Sequence, residues 1–96
     1  MKLSKKVRVT NPQGLHARPA SIFVKIANKF ESEIKVTKED QTVNGKSIMG
    51  LLMLAAEQGS EVELTATGRD AEQALSELER FLTQGSDPDR PEGAPS

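Results

Sequence analysis

The sequence has no cysteine, no tryptophan, no tyrosine and a single histidine. Without cysteine there is no disulfide framework, no thiolate metal site and no cysteine nucleophile. One histidine excludes a multi-histidine metal cluster. The three aromatic residues are all phenylalanine, too few for the stacking platforms that read RNA or single-stranded DNA. No apolar run approaches the roughly 20 residues that a membrane-spanning helix needs. The start, MKLSKKVRVT, is basic but lacks an apolar h-region. No secretory signal is therefore expected, and a cytoplasmic protein is.

What is present is a charge asymmetry. The 96 residues sum to a formal charge of −1. Yet Lys2, Lys5, Lys6, Arg8, Arg18, Lys25 and Lys29 precede the first acid, Glu31. The first 30 residues are +7 and the remainder −8. Such polarity bears on partners rather than on fold.

One domain is expected over residues 1–84, followed by a tail over 85–96. The tail, GSDPDRPEGAPS, holds three Pro, two Gly and one aliphatic residue, Ala94. It has too little apolar surface to offset its ordering entropy, so disorder is expected.

Within 1–84 the period of the apolar residues alternates between two and 3.6. Leu3, Lys5, Val7 and Val9 alternate with polar residues and predict a half-buried strand. Asn11-Pro12-Gln13-Gly14 stops it. Ala20, Phe23, Val24, Ala27 and Phe30 then fall at helical spacing. Ser32–Lys38 and 41–44 predict a hairpin around Glu39-Asp40. Ser47 is placed as the N-cap of a short helix carrying Ile48, Leu51, Leu52 and Ala55 and ending at Gly59. Val62, Leu64 and Ala66 predict a fourth strand. Asp70 is expected to cap a last helix with Ala71, Ala74, Leu75, Leu78, Phe81 and Leu82 on one face. The order is βαββαβα, a two-layer α+β domain. Periodicity does not order the strands beyond the hairpin.

The segment Gly14-Leu15-His16-Ala17-Arg18-Pro19-Ala20 carries the chemistry. His16 sits where a loop becomes a helix. The free N–H groups of Ala17 and Arg18 follow it, and Pro19 occupies the first turn, where a missing N–H leaves no bond unmade. A helix N-terminus suits an anion by geometry and dipole. Arg18 adds a planar fork of donors matched to phosphate oxygens. A neutral imidazole beside such a cradle is a competent nucleophile toward phosphorus. A phosphoramidate keeps high transfer potential, which suits a relay.

GLHARPA, followed after 24 intervening residues by GKSIMGLLMLAA, resembles HPr, the histidine phosphocarrier family of the bacterial phosphoenolpyruvate-dependent sugar phosphotransferase system. The likeness covers about residues 3–82. It implies an open-faced β-sandwich: a four-stranded antiparallel sheet with three helices on one face. It implies that Enzyme I passes a phosphoryl group from phosphoenolpyruvate to Nδ1 of His16, that Arg18 pairs with the phosphoryl oxygens, and that IIA domains of sugar transporters are the acceptors. It further implies that Ser47 is the target of an ATP-dependent HPr kinase/phosphorylase. The residues matching Ile48, Met49 and Leu52 meet these partners. A carrier without turnover of its own, without cofactor or metal, and monomeric, is expected.

Two other readings follow from the same residues. A regulatory HPr paralogue, of the nitrogen-related type or outside transport, would use the same His16 chemistry. A small α+β RNA-binding module would use the basic first third, but lacks the aromatics. Arg8, Lys25, Lys29 and Lys46 are placed on the surface, with a docking role expected for Lys25 and Lys29. Gly14 and Gly45 are placed in turns.

Overall fold

The alternating pattern of the first ten residues forms an edge strand, β1 (Lys2–Arg8). The computed structural model describes residues 1–12 and 14–84. Val7 points into the core and Arg8 into solvent. There follow α1 (Ala17–Ala27), β2 (Glu33–Lys38), β3 (Gln41–Asn44), α2 (Ile48–Leu54), β4 (Glu61–Thr67) and α3 (Ala71–Gln84). The expected tail over 85–96 lies outside the described residues.

The four strands form one antiparallel sheet in the order β1-β4-β2-β3. Sequence neighbours β1 and β2 are thus separated by the last strand to be made. The register sets Val7 opposite Val62, and Val36 opposite Leu64. Those residues, with Ile34 and Ala66, line the inner face and are fully buried. Phe23 from α1, Leu51 from α2, and Leu78 and Leu82 from α3 close the core over them. This is the open-faced sandwich that the family resemblance implied.

The other sheet face is polar and its charges alternate in sign. Lys6 stands opposite Glu63, and Arg8 opposite Glu61. Ser4 and Thr65 share a hydrogen bond of 3.1 Å, as do Thr37 and Thr42 at 2.8 Å. On the helical side Lys5 reaches Glu79 at 2.7 Å and Lys29 reaches Glu77 at 2.9 Å. The basic first third of the chain therefore folds against acids from β4 and α3. Two of its seven charges, Lys5 and Lys29, are ion-paired, and Lys6 and Arg8 face acids across the β1–β4 register.

Two local expectations are corrected. The helix from Ser47 stops at Leu54, not at Gly59. Ala55 takes a left-handed conformation, φ 54°, and its N–H bonds to the Leu52 carbonyl. The early stop frees the chain to bury Ala56, which belongs to the core cluster. Further helix would carry that residue around the axis and away from it.

Asp70 precedes α3 and its carbonyl accepts from Ala74 N at 3.0 Å, as an N-cap residue's does. Its carboxylate, however, turns to the segment entering β2. It accepts from Glu31 N at 2.9 Å, from Ser32 N at 3.0 Å and from the Ser32 hydroxyl. Three donors outcompete the helix end. The Ser32 hydroxyl, then the Glu31 N–H, hold the Asp70 carboxyl below its ordinary value of 3.8. Gly68, at φ +151°, makes this approach possible, since a Cβ there would lie 2.5 Å from Ser32 Oγ.

Candidate functional site

The chain leaves β1 through a segment sewn to three other parts of the molecule. Val9 N donates to Ser60 O at 2.8 Å, and Gly59 N to Val9 O at 2.7 Å. Thr10 N and Asn11 N both donate to Leu82 O, at 3.1 and 3.3 Å, near the end of α3. Gly14 N closes a turn onto Asn11 O at 2.9 Å. Leu15 is buried, and its N–H reaches Ala56 O at 2.7 Å. Gly14 adopts φ +61°, and a Cβ there would stand 2.8 Å from both Ala56 O and Glu57 Cα. Glycine is required on both counts.

This base delivers His16 to the N-cap of α1, where the sequence placed it. Its backbone is extended, φ −81° and ψ −172°, and its carbonyl accepts from Ala20 N at 2.8 Å. Its imidazole makes no capping hydrogen bond. His16, Ala17 and Arg18 are exposed, whereas Pro19 and Ala20 are buried. Pro19 thus anchors the first turn through packing. No acidic residue lies in that turn. Among the described residues the Arg18 guanidinium has no hydrogen-bond or ion-pair partner. Within three consecutive exposed residues the chain thus presents an imidazole, a guanidinium without a partner among the described residues, and the leading N–H groups of an 11-residue helix. An oxyanion is the ligand such a group of donors fits.

The segment just after α2 borders this site through the contacts of Ala56 and Glu57 with Gly14 and Leu15, and α1 packs on α2. Ser47 is the N-cap of α2, as expected, and its Oγ accepts from Gly50 N at 3.0 Å. The helix is divided lengthwise. Leu51 and Leu54 are buried, whereas Ile48 is 41%, Met49 69%, Leu52 38% and Met53 67% exposed. The four exposed apolar side chains form an outward stripe. Met53 belongs to it, one turn from Met49, although sequence reasoning assigned it no role. Its i, i+4 spacing from Met49 was the available signal.

The remaining basic candidates are largely engaged. Lys29 pairs with Glu77. Lys46 Nζ donates to Phe30 O at 2.7 Å, and Arg8 Nη1 to Gly59 O at 2.8 Å. Lys25 lies in the last turn of α1, while Lys29 lies beyond its end, so the two do not share a helix face. Among the described residues no helix is long and apolar enough to cross a membrane.

The family defined as the PTS HPr component phosphorylation site matches residues 3–84. This chain belongs to the HPr family. The phosphocarrier protein HPr of Treponema pallidum is 49% identical over 78 residues, which are 81% of this chain and 89% of that one. A crystal structure of HPr from Bacillus anthracis superposes with a TM-score of 0.83 at 44% identity, covering 84% of this chain and 96% of that one. A crystal structure of Bacillus subtilis Crh, described as a catabolite repression protein in a domain-swapped dimer, follows at TM-score 0.70 and 45% identity. It covers 83% of this chain and 92% of the other. Membership in the HPr family carries a phosphocarrier role in the phosphotransferase system.

Proposed function

We propose that this HPr-family protein takes a phosphoryl group from phospho-Enzyme I onto Nδ1 of His16 and donates it to IIA domains of sugar transporters. The observation that carries the reading is the position of His16. The only histidine of the chain stands exposed at a helix N-cap, two residues before Arg18, whose guanidinium has no partner among the described residues. As the N–P bond to Nδ1 forms, the bond to the donor breaks. The N–H groups of Ala17 and Arg18, with the Arg18 side chain, supply positive character where the phosphoryl oxygens gather charge. No residue of this chain is asked to shuttle a proton.

Ile48, Met49 and Leu52 supply the docking surface, with Met53 at its margin. Their continuity with the His16 loop through Ala56 and Glu57 supports one footprint that includes both. Ser47 at its edge is the proposed target of an HPr kinase/phosphorylase. A phosphate there adds about −2 charge beside the docking stripe and disfavours an acidic partner. Residues 1–84 form the carrier domain, and removal of 85–96 is expected to leave transfer intact.

The deciding experiment is incubation with Enzyme I, Mg²⁺ and phosphoenolpyruvate, followed by intact mass. One acid-labile phosphoryl group is expected, and none in His16→Ala. An unlabelled native chain overturns the reading. The likeness to Crh favours one second reading, a regulatory carrier with the same His16 chemistry. Transfer from the labelled chain to a IIA domain separates the two, since a purely regulatory carrier would keep its label. Sedimentation of the same sample decides between the monomer expected from the sequence and a dimer.

A further inference from the structure

The docking stripe is half methionine. Met49 and Met53 stand one turn apart on α2, 69% and 67% exposed, and neither contributes to the buried core. Leu51 and Leu54 hold the opposite side of the helix in the core. Thioethers in solvent are open to two-electron oxidants, whereas thioethers inside a packed core are shielded.

We propose that Met49 and Met53 form a reversible oxidation site that lowers docking of the phosphoryl-transfer partners when peroxide is present. The inference rests on the docking role proposed above for α2. A sulfur lone pair attacks one oxygen of hydrogen peroxide. The S–O bond forms, the O–O bond breaks, and the departing oxygen leaves as water after proton transfer. Sulfur is oxidised by two electrons and peroxide is reduced. A thiol-dependent methionine sulfoxide reductase reverses the change.

The consequence follows from the chemistry of the surface. A sulfoxide replaces an apolar, adaptable contact with a strong acceptor dipole. In a desolvated interface that dipole needs a donor that a partner shaped for a thioether does not supply. The fold is spared, because both side chains are outside the core. Met1 is also exposed, at 72%. It begins the chain next to β4, where its carbonyl accepts from Gly68 N at 2.8 Å. It therefore provides an internal control: a thioether equally open to oxidant but off the docking helix.

The test treats the full chain with hydrogen peroxide and locates the added oxygens by peptide mass mapping. Transfer from phospho-Enzyme I is then measured against carrier concentration, and binding to Enzyme I by titration calorimetry. One oxygen is expected on each of Met49 and Met53. KM and Kd should rise several-fold, with kcat and melting temperature unchanged, and the reductase should restore both constants. The Met49→Leu/Met53→Leu variant, compared with itself before and after peroxide, should show no shift while Met1 still gains oxygen. Sulfoxides at 49 and 53 without a rise in Kd overturn the inference. So does a shift that persists in the double variant, or resistance of both residues under conditions that oxidise Met1. Met49→Glu separates the two levels of argument. If it weakens binding and the sulfoxides do not, only the oxidation site falls; if neither does, the docking reading falls with it.

Discussion

Asp70 and Ser32, 38 residues apart, are joined by two bonds from Ser32 to one carboxylate: the backbone N–H at 3.0 Å and the hydroxyl. The pair ties the start of α3 to the entry of β2. The carboxyl is held below its ordinary value, first by the Ser32 hydroxyl and then by the Glu31 N–H. A depressed folded value means that the contribution is present above the unfolded value and is lost as pH falls through the folded one. Asp70→Asn should therefore be less stable than the native chain at pH 7. The two melting curves should converge below about pH 4. Thermal melts from neutral to acid pH check this, and a constant gap down to the lowest pH would refute it.

Ala55 ends α2 at φ 54°, a conformation that glycine adopts without a Cβ penalty. Ala55→Gly should raise stability, by about 1 kcal/mol or less after the added unfolded-state entropy is subtracted. The side chain is exposed, so no packing is lost. Urea denaturation reads the change, and a loss of stability would show that the left-handed cap carries no strain.

Ser47 supplies an Oγ acceptor to Gly50 N. Ser47→Ala should cost about 1 kcal/mol through the lost cap. Ser47→Asp retains a capping acceptor and should fold as well as the native chain, yet take phosphoryl from Enzyme I more slowly. An unchanged transfer rate would remove Ser47 as a point of regulation and leave it a cap.

Gly14 meets the backbone of Ala56 and Glu57 at φ +61°. Gly14→Ala should destabilise by about 1–3 kcal/mol and slow transfer, because the backbone that delivers His16 must shift. Denaturation and transfer rate measured on one sample check both halves. A destabilised variant with native transfer would uncouple the loop from the site.

Within the +7 segment Lys5 and Lys29 are ion-paired, and such exposed pairs are individually worth about 0–1 kcal/mol. Long-range steering should therefore depend on the charges left outward, Arg18 first among them. Transfer from Enzyme I should slow as salt is added. Arg18→Gln should be slower than the native chain and show a shallower salt dependence. Equal slopes would assign the effect elsewhere.

Much of this molecule is written locally. The alternation of Val62, Leu64 and Ala66 and the helical spacing of Ala71, Ala74, Leu78 and Phe81 lead directly to β4 and α3, because one buried face dictates each period. His16 as N-cap is legible for the same reason, since Gly14 and Pro19 restrict the backbone around it. The insertion of β4 between β1 and β2 is not, because pairing of distant strands leaves no periodic trace. Nor is the Asp70 carboxylate's turn toward Ser32. A cap and a long-range acceptor look alike in sequence, and only the fold brings the three donors near. The end of α2 is not legible either, because Gly59 is the stronger stop signal in the sequence, whereas the burial of Ala56 goes with a stop at Leu54. The charge asymmetry is legible but not its pairing with Glu77 and Glu79, nor the facing of Glu61 and Glu63, which depend on which strands and helices become neighbours.

The loop before His16 is fastened at Leu82, Ala56 and Ser60, yet the imidazole at its end has no capping bond of its own. A carrier is loaded and emptied in alternation, so neither state should lie much below the other. With His16 as the proposed acceptor, no side-chain bond at the helix cap must be broken when the phosphoryl group arrives, and none is regained when it departs. On the proposed chemistry the cap has no bond to rebuild in either direction, and the change is confined to the His16 ring. Reversibility in such a protein is then a property of what its histidine is not bonded to.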